Sequence, residues 1–224
     1  MRTSGNNPYD AIQRDSSVLA TNKVLRNTYA LLSLTLLFSG AVAGVTMALN
    51  LPHPGLLITL AGFFGLLFLT HKLADSAWGL LAVFAFTGFL GYTLGPILNM
   101  YLSMPGGSEV VMLALGGTGA IFLSLSAYTL MTRKDFRFMG GFLFMGIITA
   151  FLLGIGAYVF SMPALSLAVS GMFVLLMSGL IMWETSRIVH GGETNYIRAT
   201  VTLFISIYNL FTSLLHLLGF AASD

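Results

Sequence analysis

The sequence has no cysteine, which removes disulfide frameworks, thiolate metal sites and cysteine nucleophiles together. Charge is almost as scarce. Asp, Glu, Lys and Arg make up 8% of the 224 residues, against roughly 25% in a soluble domain. The ten basic residues and the net charge of +2 are spread along the chain, so no basic patch suited to nucleic acid is present. A cleavable leader is not expected, because the first 28 residues are polar and the apolar run after them is long enough to span a bilayer.

What is abundant is apolar surface. Hydrophobic residues make up 56% of the chain and the mean hydropathy is +0.88. A soluble protein of this size has too much surface for its volume to hide that fraction, whereas lipid accepts it. Twenty-five glycines fit the same solvent, since glycine is commoner in membrane helices than in soluble ones.

Apolar runs of about 20 residues predict an all-α membrane protein of seven spans, at residues 29–49, 55–70, 77–101, 109–131, 140–160, 164–189 and 199–219. Asn50-Leu51-Pro52-His53-Pro54, Ser103-Met104-Pro105-Gly106-Gly107 and Ser161-Met162-Pro163 separate some of them with turn-forming residues. Residues 1–27 read as a polar, disordered tail, residues 28–220 as one membrane domain, and 221–224 as a short external end. All ten Lys and Arg fall on one side of this scheme: Arg2, Arg14, Lys23 and Arg26 before span one, Lys72 after span two, Arg133, Lys134 and Arg137 after span four, and Arg187 and Arg198 around the break after span six. The positive-inside rule makes that side cytoplasmic. The expectation is an inner-membrane protein with its N-terminus in the cytoplasm and its C-terminus in the periplasm.

Few charged residues lie within the spans. Glu184, near the cytoplasmic end of span six, is costly in lipid unless paired or wetted, by about 2.5–3.5 kcal/mol for an Asp at a helix centre. Arg187 lies three residues on and on the same face. Glu184 is therefore either an interfacial carboxylate satisfied by Arg187 or a proton- or cation-responsive gate. In span seven Ser206 and Asn209 share a face with Thr202 and Ser213, a seam that either lines a cavity or bonds helix to helix. Gly40 and Gly44 form a GxxxG pair in span one, and Gly91 and Gly95 run into Pro96 in span three; these spacings read as helix packing, with a kink at Pro96. Gly116-Gly117-Thr118-Gly119 lacks the order and lysine of a phosphate loop. Ser170 and His216 are the nearest approach to a nucleophile and base, yet nothing in the sequence orients the histidine. The four histidines are dispersed, so no metal site or cofactor is expected, and no enzyme activity.

Three stretches carry a family resemblance. They are Trp183-Glu184-Thr185-Ser186-Arg187-Ile188 with His190-Gly191-Gly192-Glu193-Thr194-Asn195-Tyr196-Ile197-Arg198, the closing Tyr208-Asn209-Leu210-Phe211-Thr212-Ser213, and Ala85-Phe86-Thr87-Gly88-Phe89-Leu90-Gly91-Tyr92-Thr93-Leu94-Gly95-Pro96. With Lys23-Val24-Leu25-Arg26-Asn27-Thr28-Tyr29, the sequence resembles the Bax inhibitor-1 family beyond its first ~20 residues. The likeness is strongest to the gamma-proteobacterial branch that modulates the FtsH protease. The resemblance implies six helices around a central seventh, and FtsH, its membrane regulators and lipid as partners. It implies inhibition by competition, with the tail (Arg14, Lys23, Arg26) engaging the protease. It also implies an alternative, a pH-sensitive calcium leak in which two aspartates share a proton, with calcium as permeant ion only. Carried over by position, the first aspartate matches Glu184, the second falls on Ser206, and Asn209 matches the asparagine that follows. The assisting arginine has no clean counterpart near His71 and Lys72. This sequence keeps one carboxylate of the pair, so the shared proton of that mechanism has no second acid here.

Overall fold

The computed structural model describes the backbone of residues 8–222 and the side chains of residues 19–222. The described residues form seven α-helices and no strand: α1 (Pro8–Ala48), α2 (Leu56–Leu73), α3 (Trp78–Leu102), α4 (Gly107–Thr132), α5 (Gly140–Val159), α6 (Pro163–Val189) and α7 (Tyr196–Ala221), with a 3₁₀ turn at Arg137–Met139 before α5. All seven are long and apolar enough to cross a bilayer. Their ends follow the expected punctuation. Asn50 and Arg133 turn through the left-handed region after α1 and α4, Ser161 does so before Pro163 opens α6, and Gly191 ends α6 at φ 69°.

The N-terminal end differs from the disordered tail read in residues 1–27. From Pro8 onward that segment is the beginning of α1. Proline suits a first helical position, and no proline or glycine occurs between Pro8 and Gly40, so nothing interrupts the helix. At about 1.5 Å per residue α1 is about 60 Å long, twice the ~30 Å hydrocarbon core, and its apolar portion begins only at Leu19. Residues 1–7 and 223–224 lie outside the described residues, as do the side chain of Arg14 and the end at Asp224.

Connections are short and successive helices run antiparallel, so every basic residue with a described side chain lies toward one end of the bundle, hereafter the basic end. Half of α7's span is buried, against 6% of α2's. The α7 helix packs directly on α1, α2, α3, α4 and α6, while α5 stands behind α6. The core is three apolar layers threaded by α7. At the basic end Leu31, Leu32, Val83 and Phe86 meet Val201 and Phe204. In the middle Leu143, Met177 and Ile181 meet Leu210. At the far end Tyr101, Val110 and Ala114 meet Phe211 and Leu215. The exposed Leu, Phe and Met side chains on the outer faces are what a lipid-facing band requires.

The two glycine pairs have different surroundings. A Cβ on Gly91 would meet the carbonyl oxygen of Ser39, and one on Gly95 would meet Thr46 and the Ala43 carbonyl, so these two let α3 approach α1. Gly40 and Gly44, read above as a packing pair, have nothing within 4 Å of where their Cβ would be. They face an open cleft, because the α1 surface that carries Ser39, Ala43 and Thr46 already makes the contact with α3. The α3 helix continues through Pro96 to Leu102.

Candidate functional site

The last two turns of α6 carry the most heavily connected polar residues. Gly191 reverses the chain in the left-handed region, letting the amide of Gly192 donate to the Arg187 carbonyl at 2.8 Å and closing the helix. This closure folds Glu193 back over Arg187. Glu184 is fully buried; its Oε2 accepts from Arg187 Nη1 at 3.0 Å. Arg187 Nη2 donates to Glu193 Oε2 at 3.0 Å, and the guanidinium lies over the Trp183 ring at 4.6 Å. One arginine thus bridges two acids and stacks on an indole, as its flat fork permits.

The network continues into other elements. Glu193 Oε1 accepts from the Asn195 amide at 2.9 Å. Asn195 caps α7, its Oδ1 accepting from the amides of Ile197 and Arg198 at 2.9 and 3.2 Å. Its Nδ2 donates to the Ala74 carbonyl at 2.9 Å and to Asp75 Oδ1 at 2.8 Å, and Asp75 pairs with Arg198. The chain from Glu184 to Asp75 therefore ties the end of α6, the start of α7 and the α2–α3 connection together. Ser186 joins a fourth element by accepting from the Phe136 amide at 3.0 Å, and Trp183 Nε1 donates to the Arg137 carbonyl at 3.3 Å. In that connection Arg137 hydrogen-bonds Asp135 through both its backbone amide and its side chain. Those bonds, chiefly from the side chain, hold the Asp135 carboxyl well below the usual carboxylate range.

The expected site residues divide. Glu184 and Arg187 are together. Ser206 is buried and hydrogen-bonds neither; its hydroxyl donates to the Thr202 carbonyl at 2.8 Å. Asn209 Nδ2 likewise donates to the Ile205 carbonyl at 2.9 Å. Thr202, Ser206 and Asn209 of the α7 seam thus bond to their own helix, and Glu184 Oε1 has no hydrogen-bond partner among the described residues. Lys23 and Arg26 are exposed on α1 at the basic end. Ser170 Oγ lies 2.8 Å from His216 Nδ1 and 3.1 Å from the Ser166 carbonyl. The hydroxyl donates to Ser166 and the imidazole N–H to the hydroxyl, an α6–α7 staple in which no third described group orients the ring. Among the described residues no three His, Asp or Glu converge as metal ligands.

Sequence reasoning missed Asp75, Glu193 and Asn195 as members of one network. The available signal was two acids, one in each of two connections whose other charges are basic.

The fold and this knot of polar contacts define a seven-span, all-helical membrane protein with one ion-paired end. The family profile described as "Inhibitor of apoptosis-promoting Bax1" matches residues 21–223. The chain belongs to this family, the Bax inhibitor-1 family. It is 57% identical over 210 residues to the "Modulator of FtsH protease YccA" of Escherichia coli (strain K12), covering 93% of this chain and 95% of the relative. The "Inner membrane protein YccA" of Escherichia coli O6:H1 shows the same identity and coverage. An uncharacterized protein of Pseudomonas aeruginosa is 53% identical over 90% of both chains.

Proposed function

We propose that this chain modulates a membrane-bound ATP-driven protease of the FtsH type, binding it in the inner membrane and slowing its turnover of other membrane proteins. The observation that carries this reading is the 57% identity, over nearly the full length of both chains, to the E. coli protein of that name. The geometry is compatible with it. Helix α1 is about twice as long as the hydrocarbon core is thick and presents exposed Lys23 and Arg26 at the basic end, which the positive-inside rule makes the cytoplasmic side. A protease that threads its clients must grip a chain end, and α1 offers one. The same end is knotted by Arg187, Glu193 and Asn195, which resists extraction of the helices behind it. Inhibition by occupancy needs no catalytic group.

The test is the half-life of an unassembled membrane subunit degraded by the protease, in cells producing this chain or a form lacking residues 2–20. The full-length chain should lengthen the half-life, and the trimmed form should do so to a different degree. No change with either form, at matched membrane levels, sinks the reading.

A second reading, a calcium or proton leak through the bundle, is favoured by one observation: Glu184 is fully buried and one of its oxygens is unpartnered. It predicts calcium or proton flux across proteoliposomes that disappears in Glu184→Gln, while the protease reading predicts half-life extension that survives that change.

A further inference from the structure

The α1 and α4 helices both flank α7, yet they do not pack on each other. Two pockets lie between them. At the basic end a pocket of about 540 Å³ is lined by Thr21, Asn22 and Leu25 of α1, Leu130 of α4, Arg133 just beyond it, and His190. Deeper in the membrane span lies a second pocket of about 500 Å³, walled by Gly40, Ala43 and Gly44 of α1 and by Leu115 and Gly119 of α4, with Phe204 and Phe211 of α7 as its floor.

The two pockets are lined from the same faces of the two helices. On α1 the lining positions 22, 25, 36, 40, 43 and 47 fall on one helical face, whose middle positions are Tyr29 and the core residue Leu32. On α4 the positions 115, 119, 122 and 130 do the same, with Ser126 filling the interval. Tyr29 and Phe122, both partly exposed, meet across the cleft with ring centroids 6.1 Å apart and form its waist. At that level Thr28 Oγ1 and Ser126 Oγ are buried without a hydrogen-bond partner.

The polarity changes sharply along the cleft. The deep pocket is apolar, and Gly40, Gly44 and Gly119 leave its walls open, with nothing within 4 Å of a Cβ at any of them. The pocket at the basic end holds Arg133, which makes no ion pair or side-chain hydrogen bond among the described residues. The other basic side chains of this connection are engaged, Lys134 with Tyr128 and Arg137 with Asp135. Glu184, the nearest acid on α6, is already held by Arg187.

The geometry points to an anionic phospholipid as the occupant of this cleft, its phosphate at Arg133 and one acyl chain passing the Tyr29–Phe122 waist into the glycine-walled groove. Charge complementarity selects the headgroup end and the apolar groove selects the chain. A transmembrane helix would fill the groove but has no use for a basic pocket in line with it. The site stands independently of the protease reading.

The test uses the full chain in mixed micelles containing phosphatidylglycerol and phosphatidylethanolamine, with retained lipid counted by native mass spectrometry. Wild type should retain phosphatidylglycerol in preference, and Arg133→Gln should lower that preference about fivefold, the typical weight of one basic side chain at an anionic surface. Gly40→Leu with Gly119→Leu, which enter open space, should abolish retention of both lipids while leaving the thermal melt in place. Three outcomes overturn the site: retention unchanged in the double leucine variant, phosphatidylglycerol preference unchanged in Arg133→Gln, or a dimer in wild type that the leucines dissociate, which would make the occupant a second copy. If the leucine variant melts early, Gly40→Leu alone carries the same comparison.

Discussion

At the scale of single residues, Arg187 is the side chain on which most depends. It is the only described partner of the buried Glu184 carboxylate and also holds Glu193. Replacing it by Met keeps much of the apolar stem but leaves a buried charge unpaired. Removing one partner of a fully buried pair costs about 3–5 kcal/mol. Arg187 is 25% exposed, so solvent screening lowers the expected loss to about 2–3 kcal/mol. Glu184→Gln removes the charge along with the pair, and its loss should be smaller than that of Arg187→Met. Melting curves of both variants in detergent decide the matter; a larger loss in Glu184→Gln would mean that Arg187 is held mainly by Trp183 and Glu193. The Glu184–Arg187 pairing was legible from an i, i+3 spacing. The rest of the network was not, because Asn195 reaches Ala74 and Asp75 across 121 and 120 positions of sequence. No local pattern encodes a contact between two loops that only the packing of α7 brings together. Ser206 shows the converse. Its place in a polar face was plain, but a serine in a helix can turn its hydroxyl to its own carbonyl four residues back, and sequence does not say which it will do.

At the scale of elements, the contrast between Gly91 and Gly44 is testable because the two occur at similar spacings and face different things. Gly91→Ala pushes a methyl group against the backbone of Ser39, and overpacking of this kind costs about 1–3 kcal/mol. Gly44→Ala enters open space and should be neutral or stabilising, by up to about 1 kcal/mol from helix propensity. Thermal midpoints in one detergent compare them; equal losses would show that the glycines serve flexibility rather than contact. The α4–α5 connection offers a pH readout. The Asp135 carboxyl is held low by Arg137, so its contribution is present above the ordinary carboxylate range, about pH 4, and is lost only as pH falls through the lower value of the folded state. Hydrogen exchange at the Arg137 amide should stay protected on acidification to pH 4 in wild type and be faster already at pH 7 in Asp135→Asn. Equal exchange in the two proteins at pH 7 would remove the role assigned to this pair.

At the scale of the whole molecule, the span boundaries were readable to within a few residues for five of the seven helices, since a bilayer demands long apolar runs with turn-formers between them. The second span ran three residues further, through His71 and Lys72 to Leu73, because a helix end at the interface can carry polar side chains without stopping. The first began well before its apolar run, because helix formation by the polar residues 8–27 depends on backbone propensity and not on hydropathy. The central place of α7 came from family likeness; its own residues were no more apolar than those of α6. The structure adds that α5 stands outside, behind α6.

That enclosed position of α7 has a consequence for synthesis. Translation delivers the six outer helices before the one that five of them pack against. At about 5–20 residues per second, the 26 residues of α7 take a few seconds more to emerge. For that interval α1, α3, α4 and α6 sit in the bilayer without their common partner, and Arg187 and Glu193 without the Asn195 cap that locks them. A nascent chain stalled there is an incomplete membrane protein, the kind of object that a quality-control protease removes. The finished chain differs from it by a single inserted helix.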